Sequence, residues 1–144
     1  MKILGLSFFY HDAAACLLDD GVPVAMAEEE RFTRKKHDAG FPREAIAFVL
    51  RQGNCTAADL SAVVFYEKPF VKFERIMTTA LRTFPAGCRV FAQSVKHEFL
   101  DKLWIRQLIA QEVGVPPDKV WFSDHHLSHA ASAYFCAPTN RSAI

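Results

Sequence analysis

The stretch KILGLSFFYHDAAACLLDDGVPVAMA, residues 2–27, contains three short apolar runs, at residues 2–7, 13–18 and 22–27. The sequence Asp19-Asp20-Gly21 separates the second run from the third and is a strong signal for a tight hairpin turn. The stretch therefore predicts an antiparallel meander of three strands. The loop between the first two strands, residues 8–12, lies at an edge of the predicted sheet, where loops often hold ligands.

The remainder of the chain alternates helical patterns with short apolar runs. Pro42 is a favourable first-turn residue for a helix that ends near Gln52. Residues 61–66 then form a predicted buried strand, amphipathic helical segments continue to Val113, and residues 119–123 form a further strand. This succession predicts an α/β domain with a mixed sheet and flanking helices.

The run Asp124-His125-His126-Leu127-Ser128-His129 follows the last predicted strand directly. If Asp124 or Ser123 caps a helix here, His125 and His129 lie about 40° apart around its axis, at roughly 100° per residue. Two imidazoles one turn apart can bind a single divalent ion such as Zn²⁺ or Fe²⁺. His126 and His129 also share a face and are the competing pair.

Two further groups of polar residues have a structural and a functional interpretation. Residues 28–42 change the sign of their charge within a few positions, and such runs are usually solvated surface with weak ion pairs. Arg34, Lys36 and His37 could instead bind a phosphate or a carboxylate. His11 and Asp12 either cap their loop or take part in chemistry.

Composition limits the class of protein. The formal net charge is +1 and 51% of the residues are hydrophobic, so the chain has a globular composition without a field that would attract nucleic acid or an anionic membrane. The four cysteines form no C-x-x-C pair. No segment predicts a signal peptide or a bilayer span, and we expect a soluble, cytoplasmic protein without nucleic-acid or membrane partners. The sequence does not predict the oligomeric state, and a homodimer stays one of the alternatives. Residues 138–144 end as a loop enters a new strand, which predicts a truncated chain.

Three stretches taken together, ILGLSFFYHDAAACLLDDG, EEERFTRKKHDAGFP and DHHLSHAASAYF, resemble the N-terminal part of the O-carbamoyltransferases of the NodU, CmcH and TobZ type, which carbamoylate nodulation factors and antibiotics. The resemblance covers essentially all of the chain. It implies that residues 1–144 are the first lobe of a transferase domain with the duplicated, ribonuclease H-like fold of sugar kinases and actin. The second lobe and a C-terminal adenylate-forming domain would then lie outside this chain.

In that family, the C-terminal domain makes carbamoyl adenylate from carbamoyl phosphate and ATP, and the N-terminal domain transfers the carbamoyl group to a hydroxyl of a small-molecule acceptor. The resemblance implies that His125 and His129 match the H-x-x-x-H metal ligands and bind Fe²⁺, Zn²⁺ or Mn²⁺ together with an aspartate far downstream. His11, oriented by Asp12, is a hypothesis for the base that activates the hydroxyl. Lys36, His37 and Arg34 are candidates for contacts to carbamoyl or phosphate oxygens. His126 is a candidate either for a supporting contact to the metal ligands or for a contact to the adenylate.

Alternative functions stay open at this point. Related carbamoyl or threonylcarbamoyl transfer occurs on the same fold in hydrogenase maturation and tRNA modification, although the stretch EEERFTRKKHDAGFP favours the NodU type. From another class, the chain could be a non-catalytic lobe whose histidines bind a structural ion or none. We expect the 144-residue chain alone to be inactive, because half of the cleft and the third metal ligand lie elsewhere.

Overall fold

The computed structural model describes residues 1–10, 12–84 and 104–137. His11, the predicted helix within 85–103 and the terminal residues 138–144 lie outside this description. The strands are β1 (Lys2–Ser7), β2 (Ala14–Asp19), β3 (Val22–Glu28), β4 (Leu60–Phe65) and β5 (Val120–Phe122). The helices are α1 (Glu30–Thr33), α2 (Arg43–Gln52), α3 (Pro69–Arg82), α4 (Ile105–Val113) and α5 (His125–Cys136), with 3-10 turns at Ala57–Asp59 and Pro117–Lys119. None of the described helices is both long enough and apolar enough to cross a membrane.

The five strands form one mixed sheet in the order β3-β2-β1-β4-β5. Strand β1 pairs antiparallel with β2 and parallel with β4, and β4 pairs parallel with β5. The pairing of β2 with β3 is antiparallel, with the hairpin turn at Asp20 and Gly21 in the left-handed region, at φ 48° and 82°. The predicted meander, the mixed sheet and the α/β class are confirmed. The relation to sugar kinases and actin stays a prediction.

The core lies between one face of the sheet and two helices. Alternate residues of β1, β2 and β4 point to this face and are buried, among them Leu4, Leu17, Val63 and Phe65. Helix α2 adds Ile46 and Val49, as its 3.6-residue period requires, and α4 adds Ile105 and Ile109. The sheet is therefore fixed on α2 and α4, and its strand ends are free to carry polar side chains.

The segment 28–42, predicted as a solvated charge run, contains a buried carboxylate that anchors α2. The Glu29 side chain accepts hydrogen bonds from the backbone amides of Glu44 (3.1 Å) and Ala45 (2.8 Å), and Glu29 is only 4% exposed. These amides belong to the first turn of α2, where N–H groups lack partners within the helix. The prediction of a solvated surface was wrong for Glu29. Its carboxylate is buried because it lies against the amides at the start of α2.

A second carboxylate ties two loops together. Asp38 is 9% exposed and accepts hydrogen bonds from the Thr33 hydroxyl (3.0 Å) and the Gly40 amide (3.1 Å). The Ala13 amide donates to the backbone carbonyl of Asp38 at 2.7 Å, and the Phe9 amide donates to the Ala39 carbonyl at 2.8 Å. The loop before β2 is therefore held against residues 38–39.

Replacement of Glu29 by Ala should lower the free energy of unfolding by about 2–3 kcal/mol, because two amides at the start of α2 lose a charged acceptor in a buried place. Chemical denaturation measures the change. Glu28→Ala is the matched control, because the Glu28 side chain is 46% exposed and faces Arg31 at 3.6 Å, a contact worth about 0.5 kcal/mol or less. Equal losses in the two variants would contradict this role of Glu29.

Asp38 should contribute to the acid sensitivity of the fold. The Gly40 amide, followed by the Thr33 hydroxyl and the charge of Lys35, holds the pKa of the Asp38 carboxyl below its ordinary value. The folded state therefore binds fewer protons than the unfolded state, so this stabilisation is complete above about pH 4 and is lost as the pH falls through the lowered pKa.

In urea titrations between pH 5 and pH 2.5, Asp38→Asn should accordingly lose less stability on acidification than the wild type. Asp118→Asn, which removes an exposed carboxylate on the 3-10 turn Pro117–Lys119, is the control for the loss of one carboxyl group. An unchanged acid dependence in Asp38→Asn would show that Asp38 does not contribute.

Candidate functional site

Helix α5 begins at the carboxyl end of the short edge strand β5. Asp124 is its N-cap residue, and its carboxylate accepts a hydrogen bond from the His126 amide at 3.2 Å. A carboxylate at this position satisfies a free amide and interacts favourably with the helix dipole. The predicted cap and the predicted start of the helix are both found, and they place the histidines in its first two turns.

His125 and His129 bring their imidazoles together on this helix. Their Nε2 atoms are 3.2 Å apart and their ring centroids 4.7 Å apart. Two nitrogens that each lie about 2.1 Å from one ion, at an angle between about 90° and 109°, are separated by about 3.0–3.4 Å. The pair therefore fits the bite of a divalent ion without a change of backbone. With no ion bound, the same distance allows one ring to donate a hydrogen bond to the other.

The two ring nitrogens of His125 have different surroundings. Its Nε2 faces His129, whereas its Nδ1 is buried and has no hydrogen-bond partner among the described residues. His126 is exposed, and its ring lies 5.6 Å from that of His125 at 83°. The ring of His126 is thus separate from the Nε2 pair, which favours His125 with His129 over the competing pair His126 with His129.

Tyr66 and Ser128 fix this helix on the sheet, and the sequence did not single out either of them. The Tyr66 ring lies 5.5 Å from the His125 ring, centroid to centroid. The Ser128 hydroxyl is within hydrogen-bond distance of the carbonyls of Tyr66 (3.1 Å) and Asp124 (3.0 Å). A signal was present: Ser128 is a polar residue between the two histidines, and Tyr66 directly follows a buried strand.

The Tyr66 phenol is kept in its neutral form. Burial, followed by the charges of Glu67 and Tyr10, raises the pKa of Tyr66 to about 12. The ring therefore presents an uncharged surface to His125 near neutral pH. The Tyr66 amide donates a hydrogen bond to the Leu6 carbonyl at 3.3 Å, so the residue after β4 lies beside the end of β1.

A second polar group lies on the loops after β1 and β3. His37 Nδ1 is 2.9 Å from a carboxylate oxygen of Asp12, and the His37 amide donates a hydrogen bond to Glu30 at 3.0 Å. The ligand-type atoms of Asp12, Glu30 and His37 all lie within 4.8 Å of one another. Asp12 was predicted to orient His11, which lies outside the described residues; among the described residues it pairs with His37.

The cationic candidates lie next to this group. Arg34 ends α1 with a φ of 59°, and its side chain, like that of Lys36, is exposed. The neighbouring Lys35 lies 3.6 Å from the Asp38 carboxylate. The loop therefore offers exposed positive charge beside the imidazole of His37, an arrangement suited to anions.

Comparison with known proteins shows the family to which the chain belongs. The family described as carbamoyltransferase N-terminus matches residues 2–143. An uncharacterized protein of Synechocystis sp. is 42% identical over 151 residues, which cover 99% of this chain and 24% of that protein. The nodulation protein NolNO of Sinorhizobium fredii is 36% identical over 139 residues, which cover 94% of this chain and 19% of that protein. The chain spans about a quarter or less of these curated relatives. On the match over residues 2–143, it belongs to the carbamoyltransferase N-terminus family.

Proposed function

We propose that the protein containing this chain transfers a carbamoyl group from carbamoyl adenylate, made from carbamoyl phosphate and ATP, to a hydroxyl of a small-molecule acceptor. The family supports carbamoyl transfer in general. The single observation that carries the finer proposal is the convergence of His125 Nε2 and His129 Nε2 at 3.2 Å, at the carboxyl end of β5. We infer a divalent metal centre there, with Fe²⁺, Zn²⁺ and Mn²⁺ as the candidates and an aspartate from the rest of the parent protein as a further ligand.

A divalent ion held by two imidazoles and a carboxylate supplies Lewis acidity towards the carbamoyl carbonyl oxygen. The residues of this chain orient the reactants around it. Lys36 and Arg34 carry exposed positive charge that would attract the phosphate oxygens of the donor. His126, whose ring lies 5.6 Å from that of His125, would contact the adenylate. Asp124 holds the first turn of α5 in place, and thereby the direction in which His125 points.

The shared carboxyl edge of the sheet supports this arrangement. The loop with Asp12 follows β1, Tyr66 follows β4, and the histidines follow β5, and these three strands run parallel. Ligands of α/β proteins gather at such an edge. The donor phosphate would lie towards the loop of Lys36, with the carbamoyl group directed to His125 and His129.

Removal of either imidazole should abolish both metal binding and transfer in the full-length parent protein. With ¹⁴C-labelled carbamoyl phosphate, ATP and glycerol as the acceptor, we expect His125→Ala and His129→Ala to lower the rate of carbamate formation by about 100-fold or more, and the metal content measured by mass spectrometry to fall with it. His126→Ala is the matched histidine control and should keep its metal. Unchanged metal content and rate in both ligand variants would refute the proposed centre.

Ser128→Ala should weaken the metal site without removing a ligand, because α5 loses its hydrogen bond to the Tyr66 carbonyl. The loss of metal affinity should be smaller than the roughly 10–100-fold that removal of a hydrogen bond to a ligand side chain costs, because Ser128 holds the helix and not an imidazole. Competition titration with Co²⁺ and a chelator measures the change. Ser132→Ala is the control, since the Ser132 hydroxyl donates to the His129 carbonyl within the same helix, at 2.9 Å. Equal affinities in the two variants would show that the anchor does not set the geometry of the site.

A further inference from the structure

We propose that Tyr66 is a positioning residue of the histidine pair, whose ring holds the imidazole of His125 so that its Nε2 faces His129. This inference rests on the metal centre of the proposed function and deepens it, because it names the group that sets the direction of one ligand. It concerns the aromatic ring of Tyr66, whereas the attachment of α5 to the sheet uses the main chain of the same residue.

The ring of His125 lacks the contact that usually orients a metal-binding histidine. Such a histidine almost always donates a hydrogen bond from its second ring nitrogen to a carboxylate, a carbonyl or a water, and this bond fixes the ring. With Nε2 directed to His129 and available to an ion, the ring proton of His125 lies on Nδ1. Among the described residues, this Nδ1 is buried and has no hydrogen-bond partner. The direction of the ring therefore depends on its packing.

The Tyr66 ring packs against His125 from the end of β4. The two ring centroids lie 5.5 Å apart, and the ring planes are inclined by 57°. Aromatic rings favour tilted contacts of this kind, at centroid distances of about 4.5–7 Å. A flat ring at this distance limits the rotation of the imidazole about its side-chain bonds. The side chain of His125 is thus ordered before an ion binds.

The ring of Tyr66 is itself supported by the core. It lies 4.8 Å from the ring of Phe65, and the ring of Phe65 lies 4.7 Å from that of Phe8. Phe8 and Phe65 are each 1% exposed, and Phe8 also contacts the ring of Phe41 at 5.0 Å. A row of aromatic rings therefore leads from the buried core to His125. Because protein interiors are close-packed, this row gives the imidazole a firm support.

The main chain of Tyr66 is fixed independently of its side chain. The Tyr66 amide donates to the Leu6 carbonyl at 3.3 Å, and the Tyr66 carbonyl accepts from the Ser128 hydroxyl at 3.1 Å. Neither bond involves the ring. The ring can therefore be replaced while α5 stays attached to the sheet, which separates the orientation of His125 from the placement of the helix.

The two metal ligands should consequently differ in their freedom. His125 is partly buried and lies against Tyr66, whereas His129 is exposed. A ligand that is already ordered loses less side-chain entropy when it binds, and binding is stronger for that reason. His125 is therefore the preorganised ligand of the pair, and the imidazole of His129 adjusts to the ion.

A space-filling role is the rival interpretation of Tyr66. An apolar side chain such as Leu would also fill the space below α5, whereas the orientation of a flat imidazole by a second flat ring requires an aromatic side chain. Tyr66→Leu and Tyr66→Phe therefore separate the two interpretations. Tyr66→Phe also separates the ring from the phenol hydroxyl.

The test measures Co²⁺ binding by the metal-free, full-length parent protein in competition with a chelator. Tyr66→Leu should lower the Co²⁺ affinity by about 3–10-fold, because an imidazole that populates several staggered rotamers loses that freedom on binding. Tyr66→Phe should keep the affinity of the wild type. The visible absorption of bound Co²⁺, which reports the ligand geometry, should change in Tyr66→Leu and be retained in Tyr66→Phe. Tyr134→Leu is the matched control, because this tyrosine lies on α5 and its ring contacts that of Phe135 at 5.2 Å.

A second measurement needs no metal. In the metal-free parent protein labelled with ¹³C in its histidine rings, the signal of His125 is identified by its loss in His125→Gln. That signal should move in Tyr66→Leu, since the ring current of Tyr66 no longer acts on it, and should stay near its wild-type position in Tyr66→Phe.

Wild-type Co²⁺ affinity and absorption in Tyr66→Leu would overturn the inference. An equal loss in Tyr66→Phe would overturn it as well, because the phenol hydroxyl and not the ring would then be required. The proposed function fails in a different way: a wild-type parent that gives the expected pattern of Co²⁺ binding but forms no carbamate would refute carbamoyl transfer and would still support the positioning role of Tyr66.

Discussion

The parallel pairing of β1 with β4, and of β4 with β5, is the constraint on which both polar groups depend. Parallel strands end at one edge, which brings together the loop after β1, Tyr66 after β4 and the histidines after β5. The antiparallel meander adds a further segment to the same edge. Because Ser7 pairs with Ala14, and Ala14 with Glu28, strand β3 ends there as well and delivers the loop of His37. One sheet topology thus gathers residues from four parts of the chain.

The elements that the sequence predicted correctly are those with local signals. A hairpin turn at Asp20 and Gly21, and a capping aspartate before a helix, are visible within a few residues, so the meander and the start of α5 could be predicted. The contact between Asp12 and His37 joins loops that are distant in the sequence, and no local pattern reports it. Glu29 shows the same limit: among three consecutive glutamates, only the position of the first turn of α2 decides which one is buried.

His125 and His37 are held in place by different kinds of interaction. His125 is placed by the regular geometry of a helix and by the Tyr66 ring beneath it. His37 is placed by hydrogen bonds to carboxylates on two separate segments, one to its ring and one to its amide. A helical pair suits a ligand that must meet a second ligand at a fixed distance. A loop residue held by carboxylates on two segments keeps a fixed place although no regular element carries it.

The bond from Ser128 to the sheet ends on a main-chain carbonyl, not on a side chain. Every amino acid at position 66 supplies that carbonyl, so substitutions of residue 66 keep the acceptor to which α5 is attached. At position 128, in contrast, the chain needs a short hydroxyl side chain. Members of the family could therefore vary the ring next to His125, and with it the polarity around the histidine pair, while the helix keeps its register on the sheet.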